Sequence, residues 1–214
     1  MRFKNKTVIV TGGAGGIGQV IVRAFLDEGA RVVIAGSDEA SLRALTQSLG
    51  KEKKFAGSFL MLRANVSSYR DAERIAKRAK DAYGKIDVLV NCAGIQAPIA
   101  PFVDSDMKLW KKNIEVNLLG TAHMMRAVLP YMLRAKRGAI INFSGGGATG
   151  PRSHFSAYAT AKTGVVRLTE TVAEEVKAKN VRINAVAPGA VNTMMLEEVL
   201  RLGAKAGEKE MKEA

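Results

Sequence analysis

Residues 6–18 read KTVIVTGGAGGIG. An apolar, β-branched run of strand length meets a glycine cluster, and a helical pattern follows from about residue 16 to 28 and stops at Gly29. Gly13, Gly15 and Gly18 satisfy the template G-x-G-x-x-G, while Gly12, Gly16 and Gly18 fit the variant G-x-x-x-G-x-G. Bare backbone at such a turn lets a diphosphate approach, and the free N–H groups of the helix start point at the anion. A glycine cluster alone is weak evidence. Between a strand and a helix it stands in the context that a dinucleotide site requires.

Outward from this turn the pattern alternates. RVVIA (31–35) reads as a second strand. SDEASLRALTQSLG has Leu42, Leu45 and Leu49 on one face and Gly50 as its stop, so it reads as a helix. SFLMLRANV carries a third strand, SSYRDAERIAKRAKDAYG a serine-capped helix ending at Gly84, and KIDVLVN a fourth strand. A long helical stretch is expected from about 107 to 135, with Pro130 allowing a kink near its end. GAIINFS is strand five, residues 156–179 a helix, and VRINAVAPG strand six. Apolar strands separated by helices predict a parallel sheet buried on both faces, and right-handed crossovers make it a doubly wound α/β domain of the Rossmann type. The chain reads as one domain over 1–214, with its segment from about 195 onward incomplete or mobile.

The chain has 214 residues, of which 47% are hydrophobic and 25% charged, enough for one domain with a real core. One cysteine, Cys92, excludes an internal disulfide and fits a reducing, cytoplasmic setting. No apolar run is long enough to span a bilayer, so no membrane partner is expected. The net charge of +13 is scattered over KEKK, KRAK, RAKR and KAK with no recognised nucleic-acid motif. A solvated surface accounts for it better than nucleic-acid binding does.

Dinucleotide sites usually place an acid at the end of strand two to hold the adenosine ribose. Here that strand ends in Gly36 and Ser37, and Asp38 stands where the next helix begins, as a cap would. Ser37 suits either a ribose hydroxyl or a 2′-phosphate, and Arg43 and Arg63 are candidates to reach a phosphate. NAD and NADP both stay open.

In FSAYATAK (155–162), Tyr158 and Lys162 stand one helical turn apart, about 6 Å at Cβ. Together with TGGAGGIG (11–18), NCAG (91–94), Asn117 in NIEVNLLG, Ser144 after strand five, and PGAVNT (188–193), this set resembles the classical short-chain dehydrogenase/reductase family from residue 5 to about 197. The resemblance implies hydride transfer between a nicotinamide cofactor and a small carbonyl or secondary-alcohol substrate, without a metal. It implies a tetrad of Asn117, Ser144, Tyr158 and Lys162. Tyr158 would exchange a proton with the substrate oxygen, Lys162 would lower its pKa from about 10 and hold the nicotinamide ribose, and Ser144 would donate to the same oxygen. Asn117 would kink its helix and hold a water linking Lys162 to solvent.

By the same resemblance the cofactor lies along Thr11, Gly12, Gly13, Gly15, Gly16, Ile17 and Gly18. Ser37, Asn65 and Val66, then Asn91, Ala93 and Gly94, follow the adenosine side, and Pro188, Gly189, Val191 and Thr193 the carboxamide side. Asn65 takes the place of the family's usual adenine-binding aspartate. The helices near 107–135 and 156–179 would form the subunit contact of a homodimer or homotetramer. Met194, Met195 and Leu196 suggest an apolar pocket wall.

Two departures stand out. The family's serine usually lies thirteen residues before the tyrosine, which lands on Gly145, whereas Ser144 is fourteen before it. Matching Gly150 to the family's following glycine puts Ser144 back in place, with the extra residue in the loop PRSHFSA; surface loops take insertions easily, which favours this alignment. The family also typically continues into a seventh strand and a substrate-covering segment, for which this sequence offers no candidate, so strand six is expected to be an exposed edge. A non-catalytic NAD(P)-binding sensor or scaffold on the same fold is the alternative.

Overall fold

The computed structural model describes residues 1–206. In chain order it forms β1 (Thr7–Thr11), α1 (Gly16–Asp27), β2 (Arg31–Gly36), α2 (Glu39–Gly50), β3 (Phe59–Arg63), α3 (Tyr69–Tyr83), β4 (Val88–Asn91), α4 (Met107–Ile114), α5 (Gly120–Ala135), β5 (Gly138–Phe143), α6 (Ser156–Val176), β6 (Val181–Val186) and α7 (Met194–Leu202). The strands make one six-stranded parallel sheet in the order β3-β2-β1-β4-β5-β6. The order reverses at β1, which pairs with both β2 and β4. The crevice beyond the carboxyl ends of those strands is where such sheets bind ligands.

Each central strand feeds two cores because successive side chains point to opposite faces. Val8 and Val10 pack with Val22 and Leu26 of α1 and with Leu42, Leu45 and Leu49 of α2. Ile9 and Leu89 pack on the other face with Ile75 of α3, Met124, Val128 and Met132 of α5, and Val176 of α6. Truncating a fully buried residue here, Leu42→Ala for instance, costs about 2–5 kcal/mol. Local signals agree with the packing. Asp38 caps α2 by accepting from Ser41 N–H at 2.9 Å, Ser68 caps α3, and Gly84 ends α3 with φ +76°.

The structure differs from the sequence reading in three places. The expected helix over 107–135 is two helices joined by a π-turn at Glu115–Leu119, and Pro130 lies inside α5 without ending it. Burial on both faces holds for β1, β2 and β4 but not for β6, where Val181 and Ile183 are buried and Arg182, Asn184 and Val186 are exposed. That alternation was written in VRINAV, and among the described residues β6 is an edge of the sheet, as expected. Residues 194–202, expected to be incomplete or mobile, form helix α7, whose Val199 is buried against Phe155 and Tyr158. The remainder of that expectation, over 207–214, lies outside the described residues. Among the described residues no helix is long and apolar enough to cross a membrane.

Candidate active site

A cavity of about 540 Å³ opens among the segments that follow β1, β4, β5 and β6. That is within the range of small-molecule sites. Ile17 and Thr193 stand on one side, Tyr158, Lys162 and Ser144 on another, and Met195, Leu196 and Val199 of α7 close it. The apolar wall expected of Met194–Leu196 is thus half right. Met194 faces solvent, 78% exposed.

Tyr158 and Lys162 lie on the buried face of α6 with Ala161 and Val165. A Cβ built on Gly145 would come 2.7 Å from the Tyr158 hydroxyl, so the α-carbon of Gly145 forms the floor beneath that oxygen. Ser144 lines the same cavity, and its Oγ donates to the Val186 carbonyl at 3.0 Å. Both residues of the serine ambiguity therefore border the Tyr158 end of the cavity.

Lys162 is bonded to the end of β5. Its Nζ donates to the Phe143 carbonyl at 2.8 Å and lies 5.5 Å from the Tyr158 ring centroid. Burial pushes the ammonium down to about 8. The Tyr158 hydroxyl is held above its ordinary value, because burial penalises tyrosinate more than the Arg152 guanidinium relieves it.

Asn117 sits in the π-turn, fully buried, behind the cavity. Its Nδ2 donates to the Ile95 carbonyl at 2.8 Å and its Oδ1 accepts from Ile95 N–H at 3.1 Å. Asn113, one turn earlier, donates to the carbonyls of Ile95, Gln96 and Ala97 and accepts from Asn117 at 2.6 Å. These bonds staple the segment after β4 to α4 and to the π-turn that follows it. A Cβ on Gly94 would meet Asn117 Oδ1 at 2.7 Å and Lys162 Nζ at 3.6 Å, so these two side chains converge around a bare α-carbon. The Asn117 amide is shared between Ile95 of the loop and Asn113 of α4, and its backbone carbonyl accepts from Thr121 at 2.8 Å.

The turn after β1 fits a dinucleotide diphosphate. Gly12 holds φ +62°, and a Cβ on Gly18 would stand 2.1 Å from the Gly12 carbonyl oxygen. Gly15 is the N-cap of α1, with no side-chain cap and no acid in the first turn, so no carboxylate competes for its N–H groups. Gly16 faces Thr193, whose methyl a Cβ would meet at 2.5 Å, and Gly13 donates to the Ala35 carbonyl. Thr11 Oγ1 accepts from Ala93 N–H at 3.3 Å, tying β1 to the loop after β4. Asn91 donates to Asn142 at 2.9 Å, and its buried Oδ1 has no protein partner. Pro188, Gly189 and Val191 line the cavity, and Thr193 caps α7 through Leu196 N–H.

At the end of β2, where the sequence reading expects the adenosine ribose, the nearby carboxylates of Asp38 and Glu39 are engaged within the chain. Ser37 is exposed at the end of β2, and Asp38 serves as the cap of α2. Arg43 and Arg63 are both held by Glu39, at 2.5 and 3.3 Å. The Asn65 side chain accepts from Ser67, and buried Val66 packs beneath Gly120. Ser37, Asn65, Val66, Asn91 and Ala93 do not line the cavity described above.

The sequence model of the family described as short chain dehydrogenase matches residues 6–201. The chain belongs to that family. This short-chain dehydrogenase is 36% identical over 199 residues to the L-fucose dehydrogenase of Mus musculus, covering 92% of this chain and 70% of that one. The solved structure of levodione reductase superposes with a TM-score of 0.91 at 29% identity, covering 99% of this chain and 82% of that one. That of NAD+-bound xylitol dehydrogenase gives 0.89 at 27% identity, covering 98% and 80%. The short-chain dehydrogenase is accordingly an NAD(P)-dependent oxidoreductase.

Two side chains of the site escaped sequence reasoning. Asn113 stands one helical turn before Asn117 in NIEVN, a spacing that could have signalled a shared face. Arg152 lies in an irregular loop, where no periodicity announces which way a side chain points.

Proposed function

We propose that this short-chain dehydrogenase interconverts a carbonyl and a secondary alcohol, with Tyr158 as the acid–base group. The observation that carries this reading is the meeting of Tyr158, Ser144 and Lys162 in one cavity with Ile17 and Thr193 of the diphosphate and carboxamide segments. A bound nicotinamide supplies or accepts the hydride. In reduction the carbonyl carbon takes that hydride and its oxygen takes the Tyr158 proton; oxidation runs in reverse. Ser144 turns its hydroxyl from the Val186 carbonyl to donate to the substrate oxygen. Lys162 holds the ribose hydroxyls and supports the tyrosinate left behind. Asn117 and Asn113 fix the loop after β4, with Gly94 packed against Lys162.

The cofactor is NAD or NADP, bound along the glycine turn, Ser37, the Asn65–Val66 and Asn91–Gly94 segments, and Pro188–Thr193. The cytoplasm suits a chain whose one cysteine, Cys92, has no second cysteine to pair with. Exposed Leu109 and Leu119 beside α6 favour a homodimer or homotetramer, which sedimentation tests directly. For the activity, the chain is titrated with NADH and NADPH and then given a panel of ketones and aldehydes. Cofactor binding followed by oxidation of the reduced nicotinamide is the expected result. Binding with no turnover of any carbonyl would overturn the reaction assigned.

A further inference from the structure

Within the reaction proposed above, we infer that the side-chain amide of Gln96 recognises a second hydroxyl on the substrate, so that the carbonyl compound is a short hydroxyketone and the alcohol a diol. The inference rests on that reading for the reacting carbonyl, and on the geometry of the loop after β4 for the hydroxyl. Gln96 lies on that loop and lines the cavity that holds Tyr158 and Ser144. It is 8% exposed, and its Oε1 is buried without a hydrogen bond. Among the described residues four buried side-chain atoms stand in this way, and the other three belong to Thr7, Asp87 and Asn91, which do not line the cavity. A buried amide oxygen left without a donor is costly, and a donor on a ligand removes that cost.

The backbone beneath that amide is fixed, while the amide itself is not engaged. Asn113 donates to the carbonyls of Ile95, Gln96 and Ala97 at 3.2, 3.1 and 2.8 Å, and Asn117 binds Ile95 through both its N–H and its carbonyl. Among the described residues none hydrogen-bonds Gln96 Nε2. Neither end of the amide has a partner to lose, so a half-turn of its last torsion presents either the oxygen or the nitrogen to the cavity. A hydroxyl matches both ends, because it donates and accepts. An ammonium would also donate, but it would share the cavity with the ammonium of Lys162. Tyr158 and Ser144 take the reacting oxygen, so the hydroxyl that meets Gln96 is a second one. The wall toward α7, Met195, Leu196 and Val199, is apolar and suits the carbon chain between them.

The test is calorimetric binding of alcohols to the chain saturated with NADH or NADPH, whichever binds tighter, since a reduced cofactor cannot oxidise them. Butane-2,3-diol and pentane-2,4-diol are compared with butan-2-ol and pentan-2-ol. At least one diol is expected to bind about 10- to 100-fold tighter than its mono-alcohol. Gln96→Met, which keeps the length and removes both polar atoms, is expected to abolish most of that ratio, and Gln96→Glu, which keeps an acceptor of the same reach, to restore part of it. Equal binding of diol and mono-alcohol, or a ratio unchanged in Gln96→Met, would overturn the inference. The first comparison uses the natural chain alone, so it decides the matter even where a variant fails to fold. A parallel assay compares 3-hydroxybutan-2-one with butan-2-one, and the preference for the hydroxyketone is expected in KM. A diol preference in binding without turnover of either ketone would sink the assigned reaction and leave the hydroxyl site standing. Equal turnover of both ketones with equal binding of the alcohols would do the opposite.

Discussion

Lys162 donates its ammonium to the Phe143 carbonyl oxygen at 2.8 Å, across the end of β5, instead of toward Tyr158 one turn earlier on the same helix. The bond anchors a charge that burial has already brought down to about 8. The cofactor-free site therefore holds its lysine at the edge of losing a proton.

That position predicts a proton linkage. A dinucleotide places ribose oxygens and a diphosphate in the cavity, which favours the ammonium and raises its pKa on binding. Above pH 8 cofactor binding should then take up part of a proton, seen as a buffer-dependent binding enthalpy, and Lys162→Met should show none. The sign in folding is related. Between the folded value of about 8 and the ordinary 10.5, the unfolded chain binds more protons, so this group adds stability as pH rises. Cys92, pushed up from 9.0 to about 11 by burial, works the other way, which is why the comparison must be with Lys162→Met.

Ser144→Ala should lower kcat about 100-fold, the usual effect of removing one donor to a reacting oxygen. Its stability should change by less than about 1 kcal/mol, because the Val186 carbonyl keeps the Ser144 N–H at 2.9 Å. Gly145→Ala should also impair turnover, by pushing a methyl to within 2.7 Å of the Tyr158 oxygen. Full activity in Ser144→Ala would remove that serine from the mechanism and favour the alignment that places Gly145 at the family position.

Asn113→Ala should destabilise the fold by roughly 2–4 kcal/mol, since three loop carbonyls and Asn117 lose a buried partner together. Thermal unfolding measures this. A Tm within a degree of the natural chain would show that the loop after β4 is held by other means.

Glu39→Gln should shift cofactor choice toward NADPH. Glu39 binds both Arg43 and Arg63 just beyond β2, and its removal frees two guanidinium groups at the strand end where the sequence reading expects the adenosine ribose. The ratio of NADH to NADPH dissociation constants should rise several-fold, and the shift should vanish at high salt because these groups are exposed. An unchanged ratio would place both arginines out of reach of the cofactor.

The strands, the helices between them and the glycine turn were legible because they follow from local rules. TVIVT is buried as a whole strand, Asp38 and Ser68 cap helices as their positions suggest, and Leu42, Leu45 and Leu49 share one face. The resemblance implied a kink at Asn117, where the π-turn Glu115–Leu119 lies, but the bonds of Asn113 and Asn117 to loop carbonyls sixteen to twenty-two residues away were not legible, because no local rule encodes them. The same holds for the direction of Lys162, where spacing gave the neighbour but not the better acceptor. Arg152 depends on a loop whose path no residue periodicity encodes. α7 carried a legible apolar face, Met195, Leu196 and Val199, which the surrounding polar residues obscured.

Central to the account is proton transfer by Tyr158, and Tyr158→Phe tests it most directly. Hydride transfer from reduced cofactor to a carbonyl substrate should slow by about 10²- to 10⁴-fold, with cofactor affinity close to that of the natural chain. Turnover at the natural rate in Tyr158→Phe would contradict the assignment.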